Sequence, residues 1–319
     1  MYDLIIIGGG PGGVAAGVYA ARKKMKTALI TESFGGQSVV SAGIENWIGT
    51  PVISGFDLAK SLEAHLRAQK EIDIFEGDLV KAVTKKDDGT FSITTNGGKI
   101  LETKYIILAS GSRRKRLGVP GEDRLDGKGV VFCTTCDAPL FNGQTVAVVG
   151  GANSALESVL DLIPYAAKIY LLVRGDALKG DPVTQDKVKT HPQVEVIFGA
   201  VPQEITGDAF VDGIRYQDKK SATGADAGAT AASGEVKTLA VTGVFVEVGL
   251  IPNSDFVKDL VKLEAYGHVV TDPATQQTSC PGIWAIGDVT DTLYKQNNIS
   301  VGEGVKAALN VYDKVKMGA

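Results

Sequence analysis

Residues 2–13 read Y-D-L-I-I-I-G-G-G-P-G-G. Tyr2 to Ile7 is a short, nearly continuous apolar run, the pattern of a parallel strand buried on both faces. The glycines follow at once. Then comes V-A-A-G-V-Y-A-A-R-K-K, a helix with its basic residues in the last turn, where the helix dipole favours them. Thr27 to Thr31 reads as a second strand, with Glu32 at its end. Strand, glycine turn, helix, strand and acid together predict a βαβ dinucleotide-binding unit. Gly8 makes the turn, Gly10 lets the backbone approach a pyrophosphate, and Gly13 lets the helix pack on the strand. Pro11 and Gly12 lie at the helix start, whose N-terminus faces the phosphates. Glu32 can accept a hydrogen bond from a ribose hydroxyl, so the ligand is expected to carry an adenosine ribose.

The same pattern restarts at Thr145. Thr145 to Val149 is a strand, G-G-A-N-S-A at 150–155 opens a helix from Leu156 to Ile163, and Lys168 to Val173 is the next strand. The sequence therefore predicts an α/β fold with two doubly wound nucleotide-binding domains. The second fingerprint is imperfect. Ala152 replaces the glycine of closest approach, and no acid ends the second strand, which runs Val173-Arg174-Gly175. Between the two units, Ser54 to Lys70 reads as an amphipathic helix with Leu58, Leu62 and Leu66 on one stripe and Ser54-x-x-Asp57 as its cap. Strands are expected at Ile72 to Phe75, Leu79 to Val83, Phe91 to Thr95 and Tyr105 to Leu108. Later come a helix from Thr184 to Lys189, a strand from Val194 to Phe198, and a hairpin of Phe210 to Gln217 with Val236 to Ala240. The small, polar run 221–234 inside that hairpin is expected to be a flexible loop. Val244 to Val248, Ile283 to Ile286 and a helix from about Gly302 to Val315 close the chain.

Between the two fingerprints stands V-V-F-C-T-T-C-D-A-P-L, residues 130–140. The spacing of Cys133 and Cys136 lets two thiols close into a small disulfide loop and open again. The thiolate is the attacking form, and an ordinary thiol is mostly protonated at neutral pH. Asp137 is placed to carry the proton that exchange releases. A zinc site would need a second pair of ligands. The one remaining cysteine is Cys280, and His65, His191 and His268 form no ligand pair, so no metal is expected. Cys280 reads as a small packing residue.

With 319 residues the chain is long enough for two domains. A hydrophobic content of 44% with 22% charged residues is that of a globular protein, and a net charge of −4 argues against nucleic acid as a partner. No apolar run reaches the ~18 residues of a membrane span, and no signal peptide is expected ahead of the first strand. A location in the cytoplasm is expected.

On these residues the chain resembles the low-molecular-weight thioredoxin reductases and the flavoprotein portion of the alkyl hydroperoxide reductase flavoprotein subunit. The likeness spans essentially the whole chain. It is carried by G-G-G-P-G-G at 8–13, F-G-G-Q at 34–37, I-E-N-W at 44–47, A-S-G-S at 109–112, C-T-T-C-D at 133–137, G-L-I-P-N at 249–253, A-I-G-D at 285–288 and Y-K-Q at 294–296. E-S-F-G-G-Q and L-Y-K-Q…G-E-G look most like the hydroperoxide reductase branch. That branch has an N-terminal thioredoxin-like extension, which a chain starting at the first nucleotide-binding strand is expected to be without.

The resemblance implies an FAD domain made of residues 1–116 and 244–319, with a pyridine-nucleotide domain, 117–243, inserted and carrying the CxxC. It implies that Cys136 meets the flavin, Cys133 exchanges with the substrate and Asp137 gives the proton. Gly36, Gln37 and Asn46 would line the flavin ring, and Asp288 would hold the ribityl and pyrophosphate region. Ala109, Gly111, Gly287, Lys295 and Gln296 belong to the same motifs. NAD(P)H would sit at Gly150, Gly151, Asn153 and Ser154, with Arg174 and Lys179 near its ribose. Gly111 and Gly243 are expected hinges for a domain rotation. The implied partner is thioredoxin or a peroxiredoxin-reducing small protein, and the implied assembly is a homodimer.

The departure from the pattern lies at the donor site. Relatives that use NADPH carry H-R-R-x-x-x-R after the second strand of the inserted domain. Here V-R-G-D-A-L-K at 173–179 keeps one Arg and one Lys. Two other readings stay open: a reductase of the same fold fed by ferredoxin without a pyridine nucleotide, and a flavin-binding redox sensor without catalysis. The basic run Arg113 to Arg116 is read as a solvated linker or as a docking patch for an acidic redox partner.

Overall fold

The structure, a computed structural model, describes residues 1–41, 43–44, 46–219 and 234–317, with side chains throughout except at Val40, Thr135 and Cys136. In chain order its main elements begin with β1 (Tyr2–Gly9), α1 (Pro11–Arg22), β2 (Thr27–Phe34), α2 (Gly55–Arg67), β3 (Ile72–Glu76), β4 (Val80–Lys85), β5 (Phe91–Thr95), β6 (Ile100–Leu108) and β7 (Ser112–Arg114). Next are β8 (Val130–Val131), α3 (Thr134–Asp137), β9 (Thr145–Val149), α4 (Asn153–Leu162), β10 (Lys168–Val173), α5 (Pro182–Thr190) and β11 (Val194–Phe198). Then follow β12 (Ala200–Thr206), β13 (Gly213–Asp218), β14 (Glu235–Ala240), β15 (Gly243–Val246), β16 (Leu250–Pro252), β17 (Ile283–Ala285) and α6 (Asn297–Met317). Two compact units result, Met1–Arg113 with Ile251–Ala319, and Arg114–Leu250.

In the first unit β1 is central. It pairs in parallel with β2 and β6, giving the order β3-β2-β1-β6-β5-β4, with β17 also on β6. The apolar run of β1 is continuous because both faces are covered. Leu4 and Ile6 pack with residues of α1 and α6 on one side, and Ile5 and Ile7 with Val257, Val269 and Ile283 on the other. A Cβ on Gly304 of α6 would fall on the carbonyl oxygen of Gly12, so these two helices touch backbone to backbone. α2 is capped as its sequence predicts, with the Ser54 hydroxyl accepting the Asp57 N–H at 3.0 Å.

The second unit repeats the plan around β9, with parallel order β11-β10-β9-β15-β8 and a separate antiparallel sheet β12-β13-β14. Both units are doubly wound α/β folds, as the two fingerprints predict.

Several expectations shift. The second crossing between units lies at 250/251, not at 243/244, because β15 is the strand that pairs with β9. The first lies at 113/114 rather than 116/117. Gly243 is no hinge: it is buried in β15, and a Cβ there would overlap the Phe141 ring. β12 was not expected. Its sequence holds Pro202, and the strand takes it at the sheet edge beside a register shift between Pro202 and Glu204. The last helix starts five residues before Gly302. The expected loop 221–234 lies almost wholly outside the described residues.

Candidate functional site

A cavity of about 900 Å³ opens in the first unit. It is lined by residues 8–13, 30–33, 36–38, 78–81, 109–113 and 295–297, among others. Of the residues expected to hold FAD, it gathers Gly8, Gly10, Pro11, Gly12, Gly13, Glu32, Gly36, Gln37, Ala109, Gly111, Asp288, Lys295 and Gln296. The glycines divide by what surrounds them. A Cβ on Gly8 would meet the Ala109 carbonyl, and one on Gly13 the Gly8 carbonyl, so these two are packing glycines. A Cβ on Gly10 would meet only the Gly36 Cα, at 3.9 Å. That is a backbone left bare toward the cavity. No side chain caps the N-terminus of α1, so its first amides are available to an anion. The residues fit a dinucleotide.

Asn46 and Gly287 are not in the cavity wall. Asn46 is exposed, and its Nδ2 donates to Gln296 Oε1 at 3.1 Å. Gly287 donates its N–H at 2.6 Å to Glu303, which also accepts from the Thr292 hydroxyl at 2.7 Å. Glu303 is 6% exposed and was not foreseen as part of this site. It anchors the turn that presents Asp288. In the sequence it stands inside G-E-G at 302–304, a motif that carries likeness but gives its acid no role. Ser112 was also missed. Gln37 donates to its carbonyl and its hydroxyl, at 2.7 and 2.9 Å. Burial pushes the Asp288 carboxyl up, against the opposing pull of the Lys295 ammonium. Burial likewise pushes Lys295 down, and Asp288 opposes it.

In the second unit the CxxC opens α3. Cys133 is disulfide-bonded, while Cys280, in the first unit, is a buried free thiol. The side chain of Cys136 lies outside the described residues. Burial raises the Asp137 carboxyl above the usual range, so it holds a proton more readily than a surface acid. Thr134 is buried and hydrogen-bonds Ser158 of α4.

The glycine turn of this unit is built like the first. A Cβ on Gly150 would overlap the Glu247 carbonyl, and one on Gly151 would press on Val173. Ala152, Asn153 and Ser154 are exposed at the start of α4. Arg174 and Lys179 are exposed as well, and Lys179 reaches the turn through its backbone, N–H to Gly151 O at 2.7 Å. Asn153 Oδ1 accepts the Asp181 N–H at 2.7 Å.

Three of the four cations of the basic run make ion pairs. Arg113 pairs with Asp255 at 3.0 Å, Arg114 with Glu247 at 3.1 Å, and Arg116 with Asp123 and Asp126. None of the described helices is long and apolar enough to cross a membrane.

Residues 2–304 match the family described as pyridine nucleotide-disulphide oxidoreductase. The chain belongs to that family. It is 41% identical over 98% of its length to the F subunit of alkyl hydroperoxide reductase from Pseudomonas aeruginosa, and 38% identical over 98% to a protein of Bacillus subtilis named NADH dehydrogenase. The chain spans 58% of the length of each of these relatives. Among solved structures it is similar to thioredoxin reductase of Lactococcus lactis, with a TM-score of 0.87, 32% identity, and coverage of 99% of this chain and 100% of that one. These likenesses confirm the family resemblance and the fold of two Rossmann-like domains.

Proposed function

We propose that the protein is a flavin-dependent dithiol–disulfide oxidoreductase. With NAD(P)H as donor and FAD bound, electrons would reach a Cys133–Cys136 pair and then thioredoxin or a similar small protein such as one that reduces a peroxiredoxin. The observation that carries the reading is the first-unit cavity, with Gly10 bare, Glu32 at the ribose position and α1 uncapped, in a chain whose Cys133 is disulfide-bonded beside Asp137. FAD supplies two-electron chemistry between a nicotinamide and a disulfide. Residues 8–13 would hold its pyrophosphate and Glu32 its adenosine ribose. Gln37, Asp288 and Lys295 would orient the rest.

The protein's own steps concern sulfur and protons. Reduction of the disulfide takes up two electrons and two protons. Asp137, held protonated more readily than a surface acid, is the group that returns a proton to a departing thiolate. Cys133 thiolate then attacks a partner disulfide, forming a mixed disulfide as the partner S–S bond breaks. Cys136 attacks Cys133, re-forming the internal bond and releasing the partner as a dithiol. A homodimer in the cytoplasm belongs to the same reading. Releasing the flavin by denaturation and identifying it by chromatography tests the cofactor. Recovery of FMN, or of no flavin, would sink the reading.

A second reading is favoured by the single exposed Arg174 and the Ala152 methyl group at the second turn. There the donor is ferredoxin, and the dithiol chemistry is unchanged.

A further inference from the structure

Glu247 stands at the head of the second nucleotide fold. In the order β11-β10-β9-β15-β8 the chain leaves β9 toward β10 on one side and returns as β15 on the other. The crevice above the carboxyl ends of β9 and β15 is therefore the topological switch point, where doubly wound sheets take their ligands. Glu247 is the residue that follows β15 there. Its N–H donates to Val149 O at 2.8 Å, and its carbonyl fills the space where a Cβ on Gly150 would go. Its side chain is 7% exposed. Arg114 Nη1 donates to its two carboxylate oxygens, at 3.3 and 3.1 Å. The hydroxyls of Thr134 in the CxxC turn and of Ser154 in the glycine turn lie beside it. Among the described residues, Arg114 is the charged group that acts on it. α3 and α4 present those hydroxyls, and β9 presents backbone.

A buried carboxylate at this point conflicts with the ligand the fold is shaped for. A pyrophosphate seated on residues 150–154 brings two negative charges close to a third in a partly desolvated crevice, where like charges repel far more than in water. The neutral acid has no such conflict. We propose that dinucleotide binding at the second fold is proton-coupled, with one proton taken up on Glu247 and Arg114 released from it toward the phosphates. This rests on the reading that the second fold takes a pyridine nucleotide. Two features support it. Burial pushes the Glu247 carboxyl up to about 7 even with Arg114 beside it, so the proton is readily held near neutrality. A guanidinium freed from a neutral acid is also the donor best suited to a phosphate oxygen.

The test uses the flavin-loaded full chain and ADP-ribose, which carries the pyrophosphate but no nicotinamide, no 2′-phosphate and no group titrating between pH 6 and 8. Calorimetric titrations at pH 6 and 8, each in two buffers of different ionisation enthalpy, give affinity and protons bound. Wild type is expected to bind about tenfold more weakly at pH 8 than at pH 6, taking up about one proton at pH 8. Glu247→Gln is expected to bind equally at both values with no proton uptake. Wild-type binding without proton uptake, or a Gln variant that keeps the wild-type pH dependence, overturns the proposal alone. Absence of binding in both proteins at both pH values overturns it together with the pyridine-nucleotide reading. If the variant does not fold, the wild-type proton count decides.

Discussion

Gly10 and Gly13 stand three residues apart and serve different ends. Gly10 caps α1 with φ −72° and ψ 179°, angles any residue adopts, and its missing side chain leaves space toward the cavity. Gly10→Ala should therefore fold with a thermal midpoint near wild type and lose flavin affinity by about tenfold or more, since the methyl group stands where the phosphates approach. Gly13→Ala puts a methyl group onto the Gly8 carbonyl and should destabilise the first unit itself by about 1–3 kcal/mol. Thermal melts of the flavin-free proteins, with flavin titration of each, separate the two outcomes. Equal effects on both measurements would show that the glycines are not divided this way. The cysteines behave as one group: Cys133→Ser and Cys136→Ser should each abolish disulfide turnover with FAD retained, and the double variant should lose nothing further. The two glycines and the disulfide-bonded Cys133 were legible in the sequence because their chemistry depends on spacing. Glu303 and Glu247 were not. What distinguishes each is that it is buried, and burial of an acid is decided by elements that meet from distant parts of the chain.

Strands and helices were legible where their pattern matched their surroundings. β5, β9, β10 and β11 fall where their apolar runs place them, because each is covered on at least one face. β12 was hidden by its proline, and the first turn of α6 by its polar N-N-I-S. That turn matters, since α6 carries Glu303 to the Gly287 amide. Glu303→Ala leaves two donors without their acceptor and should cost about 2–4 kcal/mol, together with flavin content, as the turn before Asp288 loosens. Unchanged melting and full flavin content would remove Glu303 from the site. Glu247 makes a different mark on stability. The folded state holds its proton up to about pH 7, against an ordinary value of 4.5. Its contribution is therefore fullest below about 4.5 and is lost as pH rises through 7. Glu247→Gln should gain on wild type across that window, by at most about 3 kcal/mol. Denaturant titrations at pH 5 and pH 7.5 check this, and a difference that does not change with pH refutes it.

The molecule as a whole must be fed electrons, and here its two nucleotide folds differ. The first has every part of its fingerprint in place. The second keeps the turn and helix but carries Ala152 where Gly10 stands in the first, with its methyl group exposed at the N-cap of α4. An NADPH site needs a guanidinium fork for the 2′-phosphate, and an NADH site an acid for the 2′-hydroxyl. β10 ends in Val173 with no acid at its end, while Arg174 and Lys179 are single exposed cations five residues apart. Each missing charge-assisted contact costs about 1.5–3 kcal/mol, roughly ten- to a hundredfold in affinity. The expected behaviour is weak use of NAD(P)H with little discrimination between its two forms. Mixing the enzyme anaerobically with millimolar NADPH, then with NADH, and following flavin bleaching by stopped flow measures this directly. Similar, slow bleaching by both supports the reading, and bleaching that falls from pH 6 to pH 8 would agree with a proton held on Glu247. Strong preference for one nucleotide would mean that a contact outside residues 173–179 reads the ribose. If neither bleaches the flavin on the timescale of turnover while reduced ferredoxin does, the electrons come from a protein, and the second fold serves to carry the dithiol alone.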